Sequence, residues 1–384
     1  MSLGDVDERT VATLFYTSGT TGLPKGVFFT HRQLVLHAMG ISISTAAPPY
    51  ELTIKDVVMP PLVPMYHVHA WGGGPHAMFL TGQRYIYTGR MDWGGYILKT
   101  ISEEKVTYVF GVPVILYLLL THPDSSKYDL KGLKYGNGGS AIPEGLYKLA
   151  RSRGGIIVIN GYGLSETAPV IAQALFKTQS LNWPEDKKEN FLMKGLRQIP
   201  LVFLRVVDDQ GRDVPRDGKT IGELVVRAPW LTPAYYKDPG KTKDLWRGGW
   251  LHTGDVAVWD SDGYIWIMDR LKDVIKSGGE WIVSTRLEDI ISTHPAVGEV
   301  AVIGVPPHPQ WGERPVAVVV PRPGKKITED DIKNYLMKFV EKGEIPKWWV
   351  PDKVIISERE LPKTSTAKAD KKALRELYKN VLSS

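Results

Sequence analysis

The most informative stretch of this 384-residue chain is Thr17-Ser18-Gly19-Thr20-Thr21-Gly22-Leu23-Pro24-Lys25-Gly26. It lies between two short apolar runs, Val11–Tyr16 and residues 27–30, whose composition is typical of β-strands. Its glycines allow backbone N–H groups to converge on an anion, its hydroxyls can donate to phosphate oxygens, and Lys25 supplies a positive charge. The stretch therefore predicts a phosphate-binding loop that joins one strand to another.

Other nucleotide-binding patterns explain the chain less well. The loop lacks the G-x-x-x-x-G-K-[ST] spacing of a Walker A sequence, in which a helix follows the loop. Residues 72–77 and 136–141 both fit a G-x-G-x-x-A dinucleotide pattern. Pro75 interrupts the helix-opening turn of the first, and Pro143 together with the lack of a suitable acid near position 160 weakens the second. The sequence therefore argues against a dinucleotide oxidoreductase.

The composition excludes several functions. The chain has no cysteine, which rules out disulfide scaffolds, thiol catalysis and iron–sulfur clusters and fits a reducing compartment. Its formal net charge of +6 mildly favours anionic ligands. The longest apolar stretch, residues 106–122, is broken by Gly111 and Pro113 and predicts a buried strand followed by a helix rather than a membrane span. With no apolar leader at its start, we expect a cytoplasmic protein.

The chain is organised as a large block followed by a smaller one. Short apolar runs alternate with helical segments over residues 55–270, which is typical of α/β proteins, and residues 201–264 predict an antiparallel β subdomain within that block. The smaller block begins near residue 273 and predicts an α+β domain. Its predicted helix starts and strands are a capping box at Thr285 and Glu288, an N-terminus at Thr328 and Asp331, and strands at 300–303 and 316–320.

Six further motifs follow the loop along the chain. They are Gly138-Gly139-Ser140-Ala141, Gly161-Tyr162-Gly163-Leu164-Ser165-Glu166-Thr167, Gly222-Glu223-Leu224, Trp250-Leu251-His252-Thr253-Gly254-Asp255, Asp269-Arg270-Leu271-Lys272-Asp273 and Pro362-Lys363-Thr364-Ser365-Thr366-Ala367-Lys368. Together with the loop, they resemble the adenylate-forming enzymes, which include acyl-CoA synthetases, firefly luciferase and nonribosomal adenylation domains. The resemblance covers nearly the whole chain.

This resemblance implies the fold of the family, which is α/β with a β subdomain and a small α+β C-terminal domain. We expect an adenylation core at residues 1–270 and a mobile C-terminal domain at residues 271–384. Family members carry a large segment before the phosphate loop, whereas here the loop begins after about a dozen residues. We therefore expect a core that lacks its upstream part, with exposed apolar surface and strand edges.

The resemblance also implies an ATP and Mg²⁺ site. Glu166, together with Thr20, is the candidate metal ligand, since Mg²⁺ bound to nucleotides is usually held by one or two carboxylates and phosphate oxygens. Thr167 would hydrogen-bond the α-phosphate, and the ring of Tyr162 offers a face on which adenine can stack. The other implied nucleotide contacts are Thr17, Ser18, Gly19, Thr21, Gly22, Lys25, Gly139, Ser140, Gly161, Gly163, Asp255 and Arg270.

The C-terminal motifs imply a catalytic lysine and a coenzyme A site. Lys368 would stabilise negative charge that develops at the reacting carboxylate and the α-phosphate. Ala367 stands where the family usually has glycine, which questions the loop geometry rather than the lysine. Lys272 resembles the hinge about which the small domain turns. Lys276, Gly278 and Gly279 would line the narrow tunnel for the pantetheine arm of coenzyme A.

The clearest clue to the substrate is Met65-Tyr66-His67-Val68-His69-Ala70-Trp71. The family places an aromatic residue and a histidine here, so the resemblance implies that His67 and Trp71 line the acyl pocket, with His67 counted among the catalytic candidates. Gly111 and Val112 would supply another wall. Two alternatives stay open: a metal site formed by His67, His69 and His76, and an ordinary dry core.

The residues around the glycine pair at 278–279 are most similar to medium- and long-chain fatty acyl-CoA synthetases. The implied enzyme is an AMP-forming ligase whose partners are a fatty acid, ATP and coenzyme A, with no nucleic acid. Peripheral membrane contact and a homo-oligomer stay open. Two other functions also stay open: a non-catalytic fragment that retains part of the nucleotide site, and an adenylating enzyme that acts on an aryl or other carboxylate and serves coenzyme A or a carrier protein.

Overall fold

The computed structural model describes residues 5–17, 24–60, 62–72, 74–89, 95–278, 280–308, 312–363 and 369–382. The chain separates into two compact units. The first comprises Met1–Thr220, Leu224–Thr253 and Val258–Trp266, and the second comprises Ile221–Glu223, Gly254–Ala257 and Ile267–Ser384. The domain limits 1–270 and 271–384 stay predictions.

The strands and helices up to residue 270 follow one another in an α/β arrangement. The strands are β1 (Val11–Tyr16), β2 (Gly26–Thr30), β3 (Val57–Met59), β4 (Arg84–Tyr85), β5 (Tyr108–Gly111), β6 (Lys134–Asn137), β7 (Ile157–Gly163), β8 (Val170–Gln173), β9 (Gly195–Gln198), β10 (Phe203–Val207), β11 (Gly222–Arg227), β12 (Leu251–Trp259) and β13 (Ile265–Arg270). The helices are α1 (His31–Thr45), α2 (Val68–Trp71), α3 (Gly74–Thr81), α4 (Gly95–Glu103), α5 (Pro113–Thr121), α6 (Glu144–Gly154), α7 (Glu185–Lys194) and α8 (Pro239–Leu245).

Most of these strands form one mixed sheet in the order β10-β11-β12-β13-β9-β8-β7-β6-β5-β3-β4. The neighbouring strands from β4 to β7 are parallel, while β8 pairs antiparallel with both β7 and β9. In the register of the parallel part, Gly111 lies beside Asn137 and Asn137 lies beside Asn160. The carboxyl ends of β5, β6 and β7 therefore meet at one edge of the sheet.

A dry layer of side chains covers the parallel strands. Leu98 of α4 and Leu116 of α5 are almost fully buried in one cluster with Tyr135 of β6. Burying each such side chain contributes about 2 kcal/mol. The predicted strand and helix at residues 106–122 are confirmed as β5 and α5, and the helix begins at Pro113 because proline lacks only an N–H that the first turn would leave unpaired.

β1 and β2 form a separate antiparallel hairpin, as the sequence predicts. Tyr16 pairs with Gly26, and just beyond them the N–H of Thr17 donates to the C=O of Lys25 at 3.0 Å. The chain continues from β2 directly into α1, whose first turn is closed by a capping box between Thr30 and Gln33. The base of the phosphate loop is therefore held between two strands and a capped helix.

His37 of α1 is fully buried and ties three parts of the first unit together. The N–H of Val170 donates to its Nε2 at 3.1 Å, so the proton lies on Nδ1, which contacts the C=O of Gly72 at 3.1 Å. Burial lowers the pKa of His37 to about 3, even though its contacts to Gly72 and Val170 act in the opposite direction. The imidazole is therefore neutral in the folded protein.

The second unit has its own small sheet. Its continuous part contains β14 (Ile275–Ser277), β15 (Glu280–Ile282), β16 (Val297–His308), β17 (Gly312–Pro321), β18 (Lys353–Ile356), α9 (Ser284–Ser292), α10 (Glu329–Glu341) and α11 (Lys371–Leu377). The sheet order is β15-β14-β17-β16, and β18 joins β17 in parallel. The predicted strands at 300–303 and 316–320 lie in β16 and β17.

One predicted helix start in the second unit is confirmed and one is wrong. Thr328 caps α10 through a capping box with Asp331, as the sequence predicts. α9, however, begins at Ser284 rather than after Thr285, and its N-cap Val283 makes no side-chain cap hydrogen bond. Thr285 instead donates its hydroxyl to the C=O of Met268 at 2.5 Å, so a tertiary contact replaces the expected cap.

Across the part of the chain that the structure describes, no helix combines the length and the apolar character that crossing a bilayer requires.

Candidate active site

The carboxyl edge of the parallel strands gathers several of the predicted nucleotide contacts. Asn137 at the end of β6 donates its side-chain amide to the C=O of Ser140 at 2.9 Å, which folds the turn 138–140 over the strand end. Within that turn Gly139 has a φ of 76°, a conformation that suits glycine. Gly161 and Tyr162 belong to the neighbouring strand β7. In open α/β sheets this edge is where ligands bind.

β7 ends in a tight turn that carries Glu166 and Thr167. A side chain at Gly163 would place its Cβ 1.7 Å from the C=O oxygen of Pro169, so only glycine allows the chain to fold back here. The buried hydroxyl of Thr167 accepts the N–H of Leu164 at 2.8 Å and contacts the C=O of Pro169. In the structure, Thr167 stabilises the turn through these hydrogen bonds. Its contact with an α-phosphate stays a prediction.

Glu166 belongs to a three-residue group that the motifs do not reveal. Oε1 of Glu166 accepts a hydrogen bond from the hydroxyl of Tyr235 at 2.6 Å, and the same hydroxyl accepts one from Nζ of Lys25 at 3.2 Å. The predicted metal ligand and the lysine of the phosphate loop are thus joined through one phenol. Within the described residues, the structure therefore places the cation and the carboxylate of the predicted site together.

Sequence reasoning missed Tyr235. It lies 69 positions from Glu166 and 210 positions from Lys25, so no spacing within a single sequence links the three side chains. Its position is set by backbone contacts: Val27 forms a β-bridge with Tyr235, and Tyr236 donates its N–H to the C=O of Gly26 at 2.8 Å. Only the folded hairpin brings the tyrosine to the site.

The candidates for the acyl pocket lie around α2. His67 is exposed and its Nδ1 accepts the N–H of His69 at 3.1 Å, which caps this short helix. The ring of Trp71 packs edge-on against Phe15, with the centroids 5.0 Å apart. Trp71 also lines a depression of about 710 Å³ that is open to solvent, together with Ala12, Thr13, Leu14, Phe15, Tyr16 and Tyr66.

His69 is held against the sheet edge. A Cβ at Gly138 would lie 3.0 Å from the imidazole, so the ring packs directly on that backbone. Burial lowers the pKa of His69 to about 4, with a smaller effect of His67 in the same direction. Among the described residues, no three His, Asp or Glu side chains are grouped so that they could hold a metal ion.

Gly111 and Val112, the other predicted pocket residues, lie where β5 passes into α5. Gly111 ends the strand, and Val112 is the N-cap of the helix. The hydroxyl of Tyr135 donates to the C=O of Val112 at 2.9 Å and fixes this junction to β6. Both residues therefore lie on the same sheet edge as the turn at 138–140.

The predicted ribose contacts pair with each other in the second unit. Nε of Arg270 lies 2.9 Å from Oδ1 of Asp255, whose side chain is buried while that of Arg270 is half exposed. The two residues meet because the N–H of Leu271 donates to the C=O of Gly254 at 2.8 Å. The contact with the guanidinium therefore orients the buried carboxylate of Asp255.

The segment that carries Lys368 is closed at its base. Lys363 and Ala369 form an antiparallel bridge, and Nζ of Lys363 pairs with Glu299 at 2.6 Å. Beyond the bridge, Asp370 caps α11. Lys368 itself lies outside the described residues, as do the predicted contacts Ser18, Gly19, Thr20, Thr21, Gly22 and Gly279.

The predicted hinge and tunnel residues lie near the start of the continuous part of the second unit. Lys272 is exposed, and its C=O accepts a hydrogen bond from Arg375 of α11 at 3.0 Å. Lys276 donates its N–H to Glu313 at 2.9 Å, and Gly278 begins the turn between β14 and β15 with a φ of 59°. A hinge function and a tunnel function stay predictions.

An α/β sheet with candidate ligand contacts at the carboxyl edge of its parallel strands is the arrangement found in many nucleotide-binding enzymes. Residues 3–236 match the family model described as AMP-binding enzyme, and residues 286–368 match the model of the AMP-binding enzyme C-terminal domain. The chain belongs to this family, and the resemblance to adenylate-forming enzymes is confirmed.

The curated relatives include several CoA ligases. The chain is 45% identical over 379 residues to a long-chain-fatty-acid–CoA ligase of Thermus thermophilus, covering 98% of this chain and 67% of the relative. It is 37% identical to a medium-chain-fatty-acid–CoA ligase of Ectopseudomonas oleovorans, with 98% and 67% covered. The chain is also 40% identical to a 3-methylmercaptopropionyl-CoA ligase of Ruegeria pomeroyi, with 98% of this chain and 68% of the relative covered. The chain thus spans about two thirds of these relatives, and their names confirm the prediction of a CoA ligase.

Solved structures agree with the predicted fold. The ATP-bound MatB of Rhodopseudomonas palustris matches with a TM-score of 0.77 at 27% identity, covering 98% of this chain and 70% of that one. A fatty acyl CoA synthetase of Mycobacterium tuberculosis matches with a TM-score of 0.65 at 29% identity, covering 97% and 68%. The adenylate-forming fold is therefore confirmed.

Proposed function

We propose that this chain belongs to an ATP-dependent fatty acid–CoA ligase. In the first half-reaction, a fatty carboxylate attacks the α-phosphate of ATP, which yields acyl-AMP and pyrophosphate. In the second, the thiol of coenzyme A attacks the acyl carbonyl, which yields acyl-CoA and AMP. The single observation that carries the proposal is the joining of Lys25 and Glu166 through Tyr235, because a carboxylate is the usual protein ligand of nucleotide-bound Mg²⁺ and a lysine ammonium binds phosphate.

The residues present fit a magnesium ion. Glu166 offers a half-buried carboxylate, the kind of hard oxygen ligand that Mg²⁺ prefers, and Lys25 stands nearby to neutralise phosphate charge. When bound, Mg²⁺ supplies charge neutralisation for the pyrophosphate leaving group. Lys25 and the loop at residues 17–22 would hold the β- and γ-phosphates, and Thr20 is proposed as a further ligand.

For the nucleoside, we assign Tyr162 and the turn around Gly139 and Ser140 to adenine. The position of this turn at the carboxyl edge of the sheet supports the assignment. Asp255 would accept from the ribose hydroxyls while Arg270 orients it, and their 2.9 Å contact supports that pairing.

For the reacting groups, Lys368 is the proposed catalytic residue. Its ammonium would stabilise the charge that develops as the carboxylate attacks, an effect that acts chiefly in the transition state. The match of the C-terminal family model, which extends to residue 368, supports the assignment. We further propose that the second unit turns about Lys272 between half-reactions and that Lys276, Gly278 and Gly279 receive the pantetheine arm.

The substrate class rests on the residues around α2 and on the named relatives. The packing of Trp71 against Phe15 and the relatives that are named fatty-acid–CoA ligases support an apolar acyl group. His67, Gly111 and Val112 are proposed as further contacts. No protein nucleophile is needed, because each half-reaction uses a nucleophile that belongs to a substrate.

We further propose that the chain self-associates. Cytoplasmic location and peripheral membrane contact are proposed as well. On β1, Val11, Leu14 and Tyr16 are 56%, 45% and 59% exposed, so this strand presents apolar side chains to solvent. A second copy of the chain would cover such a surface. Light scattering that shows a clean monomer with low binding of an apolar dye would contradict it.

The test of the function is exchange of labelled pyrophosphate into ATP, measured with carboxylic acids from two to eighteen carbons. We expect exchange that depends on a fatty acid and not on coenzyme A, followed by thioester formation when coenzyme A rather than a carrier protein is added. Absence of exchange with every acid would overturn the function for this chain.

Lys368→Ala separates the two half-reactions. We expect pyrophosphate exchange to fall by about a hundredfold or more, because the lysine acts on the charge of the first transition state. Thioester formation from supplied acyl-adenylate should stay within about threefold of the unmodified chain. Equal losses in both assays would contradict the role assigned to Lys368.

A further inference from the structure

We propose that Tyr235 is a positioning residue that holds Lys25 and Glu166 apart and aims both at MgATP. The inference rests on the proposed function, since it assigns to Tyr235 a task within the same site. Its central claim is that the phenol hydroxyl prevents the ammonium and the carboxylate from collapsing into a direct ion pair.

The hydrogen-bond directions follow from the chemistry of the groups. An ammonium can only donate and an ionised carboxylate can only accept. The hydroxyl of Tyr235 must therefore accept from Nζ of Lys25 at 3.2 Å and donate to Oε1 of Glu166 at 2.6 Å. Each bond polarises the hydroxyl in the sense that strengthens the other.

The ring of Tyr235 contributes separately from the hydroxyl. Nζ of Lys25 lies 4.5 Å from the ring centroid, within the range of a cation–π contact. The side chain is 6% exposed, so the ring is packed and the hydroxyl has little freedom to turn away. Removing the oxygen alone would therefore keep the ring in place and delete only the bridge.

The backbone around Tyr235 is tied to both partners. Val27 pairs with Tyr235, two residues along the chain from Lys25. Thr232 donates its N–H to the C=O of Glu166 at 3.0 Å. The segment 232–236 thus joins β2 to the turn after β7, and the tyrosine stands between them.

The phenol remains neutral while it bridges two charges. A tyrosine hydroxyl ordinarily loses its proton only near pH 10, so it is uncharged at physiological pH. Because the hydroxyl of Tyr235 is uncharged, it does not neutralise the charge of Lys25 or of Glu166. A direct ion pair, in contrast, would compete with phosphate for the lysine and with the metal for the carboxylate.

The experiment compares Tyr235→Phe with Tyr236→Phe in the full chain. Tyr236 is the matched control because it is the next residue and is 44% exposed. Calorimetric titration with MgATP, repeated over a range of Mg²⁺ concentrations, measures the affinity and the metal requirement. We expect Tyr235→Phe to weaken MgATP binding by roughly tenfold and to raise the required Mg²⁺, and Tyr236→Phe to change either by less than about twofold.

Two measurements separate positioning from mere folding support. Thioester formation from supplied acyl-adenylate needs no triphosphate, so it should be unchanged in Tyr235→Phe. In a Glu166→Gln background the effect of Tyr235→Phe should shrink to less than about twofold, because the partner charge is already gone. Equal losses in both half-reactions, or an undiminished effect in that background, would overturn the proposal.

The remaining outcomes also decide. Wild-type affinity and metal requirement in Tyr235→Phe would overturn the proposal while leaving the proposed function intact. A chain that binds MgATP but shows no pyrophosphate exchange would refute the function, and the titrations would still test Tyr235. A chain that does not bind MgATP would refute both.

Discussion

Two glutamates of this protein meet lysines in opposite ways. In the second unit, Nζ of Lys371 lies 2.7 Å from Oε1 of Glu288 in a direct pair whose side chains are 13% and 19% exposed. The N–H of Val302 donates to the same oxygen, and Lys371 also donates to Ser284. Here each charge is satisfied by the protein itself.

In the first unit, Glu166 and Lys25 are joined only through the hydroxyl of Tyr235 among the contacts described above. We call the direct contact of Glu288 with Lys371 the closed pair, and the contact of Glu166 with Lys25 through Tyr235 the bridged pair. The comparison teaches that a closed pair stabilises the fold, whereas a bridged pair keeps both charges available to a ligand. Burial raises the pKa of the Glu288 carboxyl even though Lys371 opposes the shift, so the cost of removing this carboxylate from water exceeds what its partner returns.

The largest expected effect is the loss of the closed pair. Lys371→Ala leaves the carboxylate of Glu288 in a site with little access to water, and we expect the second unit to lose about 3 kcal/mol of stability. Chemical denaturation measures the loss, with the exposed neighbour Lys372→Ala as the matched control. Equal denaturation midpoints for the two variants would show that the direct pair adds nothing to the fold.

The next largest effect is expected in acid, which should destabilise the first unit more than the second. The pKa of His37 is about 3 in the folded protein against 6.5 as its ordinary value, so the unfolded chain binds a proton that the folded chain excludes. Its contribution to stability is full above pH 6.5 and is lost as the pH falls towards 3. We expect the first unit to lose about 2 kcal/mol between pH 7 and pH 5.

Hydrogen exchange of amides in α1 and β8, followed by mass spectrometry, measures this loss directly. Amides of β16 and β17 in the second unit provide the internal reference. Protection in α1 that stays constant down to pH 5 would contradict the neutral state assigned to His37.

The smallest expected loss of stability is that of Tyr235→Phe, and it tests most directly whether the bridged pair differs from the closed pair. Tyr235→Phe should lower the stability of the first unit by only about 1 kcal/mol, the usual contribution of a net hydrogen bond, although it weakens MgATP binding. Thermal unfolding without ligand measures it. A loss of stability as large as that of Lys371→Ala would show that the bridged pair, like the closed pair, mainly stabilises the fold.

The sequence predicted the features that depend on neighbouring residues. Apolar runs on both sides of residues 17–25 were enough for the hairpin of β1 and β2. Gly111 and Pro113 were enough to divide residues 106–122 into a strand and a helix. The motifs singled out Asp255 and Arg270 as ribose contacts, but their pairing with each other is seen only in the structure.

The sequence failed where distant residues compete for one group. Thr285 and Glu288 fit a capping box, but Glu288 instead accepts the N–H of Val302 and pairs with Lys371. Tyr235 was missed for the same reason, since its partners come from segments far apart in the chain. Local spacing carries no record of such contacts, which exist only after the chain has folded.

The packing of His69 against Gly138 has a consequence for selectivity. With a pKa of about 4, the ring is an uncharged, rigid wall at any pH found in a cell. It therefore adds no positive charge to this edge of the sheet, where the proposed function places the substrates. Under that function, the preferred acid should be the same in mildly acidic and mildly alkaline buffer.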